Sequence, residues 1–162
     1  MMRPAEAADL PALMAIWNPL IRDTLVTFTT DQKSLPDMEK MLSEKSALAL
    51  PFLVAERQGT VAGFATYGAF RPGPGYRFTA EHSIILGEAA HGCGIGRALL
   101  TQLERHAHIH GIHSMIAGVS SGNALGRAFH LAMGYAETTI LPEVGHKFGR
   151  WWDLVLMQKF LT

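Results

Sequence analysis

The chain has 162 residues, 48% of them hydrophobic and 17% charged, which suits one domain with its own core rather than two. Fourteen basic residues cancel fourteen acidic ones, so no net field favours a polyanion or a membrane surface, and neither nucleic acid nor membrane is an expected partner. Cys93 is the only cysteine, which excludes an internal disulfide and any zinc site built on several thiolates.

The first residues, MMRPAEAADL, carry Pro4, Glu6 and Asp9 where a secretory leader needs a basic end and then an apolar run. No stretch approaches the length of a membrane span, and a cytosolic location is expected. Asp9 is placed to cap a first helix in which Leu10, Leu13, Met14, Ile16, Trp17 and Leu20 recur mostly at three- and four-residue spacing. A second helix is expected over Leu35 to Leu48, with Pro36 at its start and Met38, Met41 and Leu42 on its buried face. Phe52 to Ala55 and Val61 to Phe70 flank Gln58-Gly59 and read as a hairpin. After the loop Arg71-Pro72-Gly73-Pro74-Gly75, Thr79 to Leu86 reads as a third strand, and its apolar end, Ile84-Ile85-Leu86, is expected to be buried on both faces. The pattern turns helical again from Gly94 to His110, with Ile95, Leu99, Leu103 and Ala107 one turn apart and Gly111 as the stop. A strand over Ser114 to Val119, a helix over Asn123 to Met133 stopped by Gly134, and strands over Tyr135 to Leu141 and Leu154 to Leu161 complete an α/β order. No repeat or linker divides the chain, so residues 1–162 read as a single domain.

The richest local feature is His91-Gly92-Cys93-Gly94-Ile95-Gly96-Arg97, between an apolar strand and an amphipathic helix. Glycines at alternate positions let backbone amides converge on one point, and the helix behind adds the positive end of its dipole, which together make a phosphate cradle. The same pattern also serves a turn that needs only positive φ, and the residues alone leave both readings open. A Walker loop is excluded because Arg97-Ala98 stands where Lys and then Ser or Thr are required. A dinucleotide fingerprint is excluded because the spacing is GxGxG and the loop follows a third strand rather than a first.

His91-Gly-Cys-Gly94-Ile-Gly96 resembles the acyl-CoA pyrophosphate loop of the GNAT superfamily of N-acetyltransferases, Gln/Arg-x-x-Gly-x-Gly/Ala, and departs from it at His91. Across nearly the whole chain the sequence is similar to the branch that acetylates phosphinothricin and methionine sulfoximine. The matching segments are Arg3-Pro4-Ala5, Ala8-Asp9-Leu10, Ile16-Trp17-Asn18, Thr27-Phe28, Pro51 to Glu56, Phe70-Arg71, Tyr76-Arg77, Glu81-His82-Ser83, Gly122-Asn123, His130 with Gly134-Tyr135, and Val144 to Asp153. The resemblance implies a GNAT-like fold, with a mixed, mostly antiparallel central sheet flanked by helices, and acetyl-CoA as co-substrate with no metal.

It also implies roles. Backbone groups of Ile84, Ile85 and Leu86 would hold the pantetheine arm, and His91, Gly92, Cys93, Gly94, Ile95, Gly96 and Arg97 the diphosphate. Asn123 would contact the pantetheine, or else cap the helix that follows. Glu81 would be the general base, directly or through a water, unless it is merely the ion-pair partner of Arg77. His82 and His130 compete for proton handling, with His130 the candidate general acid. Arg71 and Arg77 suit a substrate carboxylate, while Pro74, Gly75, Tyr76 and Phe28 would shape the pocket.

His106, His108, His110 and His113 suggest a metal cluster, but no HExxH pattern or companion carboxylate accompanies them, and a polar helix face accounts for them. Cys93 sits in the phosphate loop, away from any acyl carbon. The expected activity is acetyl transfer to the α-amino group of a small L-amino acid analogue in a ternary complex, in a homodimer formed through the last strands. The alternatives are a protein N-terminal or polyamine acetyltransferase and a non-catalytic acyl-CoA-binding regulator.

Overall fold

The computed structural model describes residues 1–162. In chain order the elements are β1 Met2–Pro4, α1 Leu10–Asp23, α2 Leu35–Ala47, β2 Phe52–Arg57, β3 Thr60–Ala69, β4 Thr79–Leu86, α3 Ile95–Ile109, β5 Ser114–Ser120, α4 Ala124–Ala132, β6 Ala136–Lys147 and β7 Arg150–Phe160. They form one seven-stranded sheet in the order β1-β2-β3-β4-β5-β7-β6. Every neighbouring pair is antiparallel except β4 and β5.

Period-two alternation divides the side chains of β2 between two cores. Phe52 and Val54 point to Leu10, Leu13, Trp17, Ile21 and Met38 of α1 and α2, where Phe64 and Ile85 join them. Leu53 and Ala55 point the other way, to Leu99, Leu100, Leu103 and Ala107 of α3, with Met115, Val155 and Met157. Ser34 caps α2 by accepting from the Asp37 amide, and Asp37 answers by accepting from the Ser34 amide. Gln58 and Gly59 turn the β2–β3 hairpin, both at positive φ.

Four expectations need correction. Asp9 does not cap α1; its buried carboxylate takes a two-pronged bond from Arg3 at 2.8 Å and another from the Glu6 amide, tying β1 to the start of the helix. The pairing with Arg3 holds the Asp9 carboxyl below its ordinary pKa. The strand over Thr79–Leu86 is the fourth, because Met2–Pro4 already pairs with β2. It is not buried on both faces: Ile85 is buried, whereas Ile84 and Leu86 are half-buried and Glu81 and Ser83 open outward. The last two strands also run longer than the alternation suggests, meeting at a Phe148-Gly149 turn. A bulge over residues 142–144 interrupts them, and Asp153 steadies it by accepting from the Glu143 amide at 2.9 Å.

Candidate active site

The site begins where the sheet stops pairing. β4 and β5 are paired only over Thr79–Glu81 and Ser114–Ile116, while β3 follows β4 as far as Leu86 and β7 follows β5 as far as Ser120. Beyond Glu81 and Ile116 the strands part, leaving two facing backbone edges without a strand partner. A cleft of about 700 Å³ opens there, walled by residues 83–86 on one side and 117–120 on the other. Ile84, Ile85 and Leu86 therefore serve as core and as cleft wall together.

At one end of the cleft lies the glycine loop, represented in its lining by His91, Gly92, Gly94, Gly96 and Arg97. Gly94 starts α3 at φ +78°, which a residue with a Cβ would adopt only with strain. Gly96 lets the helix approach β4: a Cβ there would stand 2.7 Å from Leu86 Cδ1. No amide from Gly92 to Arg97 donates to another backbone carbonyl. These free donors, at a helix N-terminus and beside Arg97, fit a diphosphate. Cys93 and Ile95 are not among the residues that line the cleft, and the Cys93 thiol turns back to the Ala90 carbonyl.

Glu81 stands at the point of divergence and lines the cleft. A Cβ on Gly118 would lie 3.0 Å from Glu81 Oε1, so the missing side chain at Gly118 gives the carboxylate its seat. No cation pairs with it: the Arg77 guanidinium lies over the Phe78 ring at 4.5 Å, and the alternative in which Arg77 neutralises Glu81 fails. Burial without a counter-charge raises the Glu81 pKa above its ordinary value.

His82 and His130 both line the cleft and meet Nε2 to Nε2 at 3.2 Å. The Gly126 carbonyl, 2.7 Å from His130 Nδ1, can only accept, which puts a proton on that nitrogen. In the neutral ring His130 Nε2 is then an acceptor, so His82 Nε2 carries the proton between them, leaving His82 Nδ1 without a partner. Burial lowers both pKa values, that of His82 to about 3, so both rings are neutral near pH 7. Asn123 lines the cleft and also caps α4, accepting from the Gly126 amide at 2.9 Å. The two roles open for it are compatible.

Phe28 reaches the cleft with Val26 and Thr27. The loop carrying Arg71, Pro74, Gly75, Tyr76 and Arg77 is exposed and contributes nothing to the cleft wall. Among the lining residues that sequence reasoning missed are Gly118, Ser120, Phe129 and Leu154. A glycine inside a strand signals close approach but not what approaches. His106 and His110 stack at 4.0 Å with Tyr67 bonded to His106, and no group of His, Cys, Asp and Glu is arranged to hold a metal.

Residues 2–156 match the family described as the acetyltransferase (GNAT) domain. The chain belongs to the GNAT acetyltransferase family. It is 37% identical to an L-methionine sulfoximine/L-methionine sulfone acetyltransferase of Pseudomonas aeruginosa, over 97% of this chain and 92% of that one. Among solved structures it is similar to a ribosomal-protein-alanine N-acetyltransferase from Brucella melitensis, with TM-score 0.95, 43% identity and 99% of each chain covered. It is likewise similar to a phosphinothricin acetyltransferase from Sinorhizobium meliloti in complex with acetyl-CoA, with TM-score 0.93, 33% identity and coverage of 99% and 88%. The GNAT chain thus has an amide-rich glycine loop at one end of the cleft in its split sheet.

Proposed function

We propose that this GNAT protein transfers the acetyl group of acetyl-CoA to the α-amino group of a small L-amino acid analogue, of methionine sulfoximine, methionine sulfone or phosphinothricin type. The observation that carries the reading is the uncompensated Glu81 carboxylate at the divergence of β4 and β5, in the same cleft as the amide-rich loop. The names of the similar proteins support the acceptor class.

Acetyl-CoA supplies an activated acyl carbon and a thiolate that can leave. Amides of residues 92–97 and the Arg97 guanidinium hold the diphosphate, and the free edge of β4 at Ile84, Ile85 and Leu86 holds the pantetheine arm. Glu81 takes one proton of the attacking ammonium group, directly or through one water, so that nitrogen can form its bond to carbon as the C–S bond breaks, and the nitrogen's second proton goes to the departing thiolate to give free coenzyme A thiol. His130 gives no proton here: its Nδ1–H is held by Gly126, its Nε2 by His82, and burial disfavours its charged form. Arg71 and Arg77 lie over the Phe70 and Phe78 rings on the exposed loop outside the cleft wall, so neither is given the acceptor's carboxylate.

A protein N-terminus is the second reading, favoured by the name of the Brucella relative. Polyamines are disfavoured because Glu81 is the only carboxylate lining the cleft. We place the protein in the cytosol as a homodimer, the latter supported by exposed Ile140, Val144, Phe148 and Trp151 on the β6–β7 hairpin. Thiol release from acetyl-CoA decides among acceptors. Saturable turnover is expected with methionine sulfone, methionine sulfoximine or phosphinothricin, and not with an alanine-terminated peptide or spermidine. Donor binding without turnover on any acceptor would instead make the protein a regulator.

A further inference from the structure

The segment from Thr24 to Thr29 leaves α1 and lines the cleft through Val26, Thr27 and Phe28. Its own hydrogen bonds are local: Thr24 bonds back to Leu20, and the Val26 and Thr29 amides donate to the Thr24 and Thr27 hydroxyls. The bonds that reach another element come from one side chain. Lys147, at the end of β6, is 3% exposed and donates from Nζ to the Thr24 carbonyl at 2.6 Å and the Thr27 carbonyl at 2.8 Å.

Two further contacts press the same segment onto the same part of the fold. Leu25 packs directly over Gly122, where any Cβ would collide with it. The Phe28 ring lies over Gly145, where a Cβ would stand 2.6 Å from Cε2 and Cζ. A buried ammonium held by two carbonyls, with the Phe148 ring 5.3 Å away, is an expensive way to fill space, since Met would pack the same volume without a charge to desolvate. Burial accordingly lowers the Lys147 pKa. What Met cannot do is bond two carbonyls three residues apart.

We propose that Lys147 is a positioning residue for the acceptor: its ammonium clamps the Thr24–Phe28 segment to β6 and holds Val26, Thr27 and Phe28 as a fixed wall of the cleft. This rests on the reading above that the cleft takes an amino acid acceptor beside an acyl donor. The donor is held by β4 and the glycine loop, which Lys147 does not touch, so the clamp acts on one substrate only.

The test compares Lys147→Met with Lys147→Arg, which keeps charge and donors, and with Gly145→Ala, which leaves the ammonium in place and dislodges Phe28. In Lys147→Met the acceptor KM is expected to rise at least tenfold with the acetyl-CoA KM within twofold. Amide hydrogen exchange at Val26 and Thr29, whose amides are bonded within the segment, is expected to quicken at least tenfold while α3 and α4 stay protected. Lys147→Arg should recover much of both changes, and Gly145→Ala should raise the acceptor KM alone. An unchanged acceptor KM in folded Lys147→Met overturns the proposal, as does equal loss of affinity for both substrates. If Lys147→Met does not fold, Gly145→Ala decides: an acceptor KM within twofold of wild type overturns the fixed wall. Should wild type acetylate no amino acid, the functional reading falls while the exchange data still judge the clamp.

Discussion

Glu81 is raised above the ordinary carboxylate range by burial and has no cation to restore it. A base must be deprotonated to act, so kcat/KM falls as pH drops through the Glu81 pKa, and that limb lies above the ~4.3 of a free glutamate. Glu81→Gln is predicted to lower kcat by about 10²- to 10⁴-fold and to abolish the limb, read by thiol release between pH 4.5 and 9. Replacing His130 should cost less, since its nitrogens are already engaged. Stability moves oppositely. A carboxyl whose folded pKa is raised gives stability below its unfolded pKa and loses it as pH rises through the folded value. The Gln variant should therefore melt above wild type at neutral pH and level with it in acid. Glu81, His82 and His130 could be picked out from the residues as candidates; the seat could not, because Gly118 acquires meaning only when β5 lies beside β4, nor could the walls at Phe129 and Leu154.

Among the elements, α3 depends most on its first turn. Gly94 has open space around its missing Cβ, so Gly94→Ala isolates the cost of placing alanine at φ +78°, about 1–2 kcal/mol. The expected result is a lower melting temperature and a higher acetyl-CoA KM with the acceptor KM unmoved, measured by thermal unfolding and initial rates. The helices were readable because each buries one face, as Leu99, Leu103 and Ala107 do, so the 3.6-residue period survives in the residues. Strand β1 was not readable: three residues carry no period, and its place follows from Arg3 meeting Asp9. Nor were the inner ends of β6 and β7, where the bulge over 142–144 breaks alternation and its brace, Asp153, lies on the partner strand. Three apolar residues ending β4 promised burial on both faces because nothing local announces that the neighbouring strand will turn away.

At the scale of the whole molecule, α1 and α2 cover one face of the sheet at β2 and β3, and α3 covers the other, but the β6–β7 hairpin projects beyond both layers. It leaves Trp151 61% exposed near Val144 and Phe148. Exposed apolar side chains grouped on one hairpin suit the homodimer proposed above. Sedimentation is predicted to give twice the chain mass, and Trp151→Glu to shift the equilibrium toward single chains without lowering the melting temperature of the domain. The α/β order was legible as a succession of periods, whereas which faces stay uncovered depends on sheet order, and β7 inserting between β5 and β6 is a tertiary choice.

The parting of β4 from β5 has a thermodynamic corollary. Two half-sheets joined by three paired positions share a seam that the polypeptide leaves unstitched. An amide-bearing arm lying in that seam acts as a short extra strand, so donor affinity and the cohesion of the two halves become one linked quantity. Any change that loosens the junction at Glu81 and Ile116 weakens the hold on the donor, even without touching it.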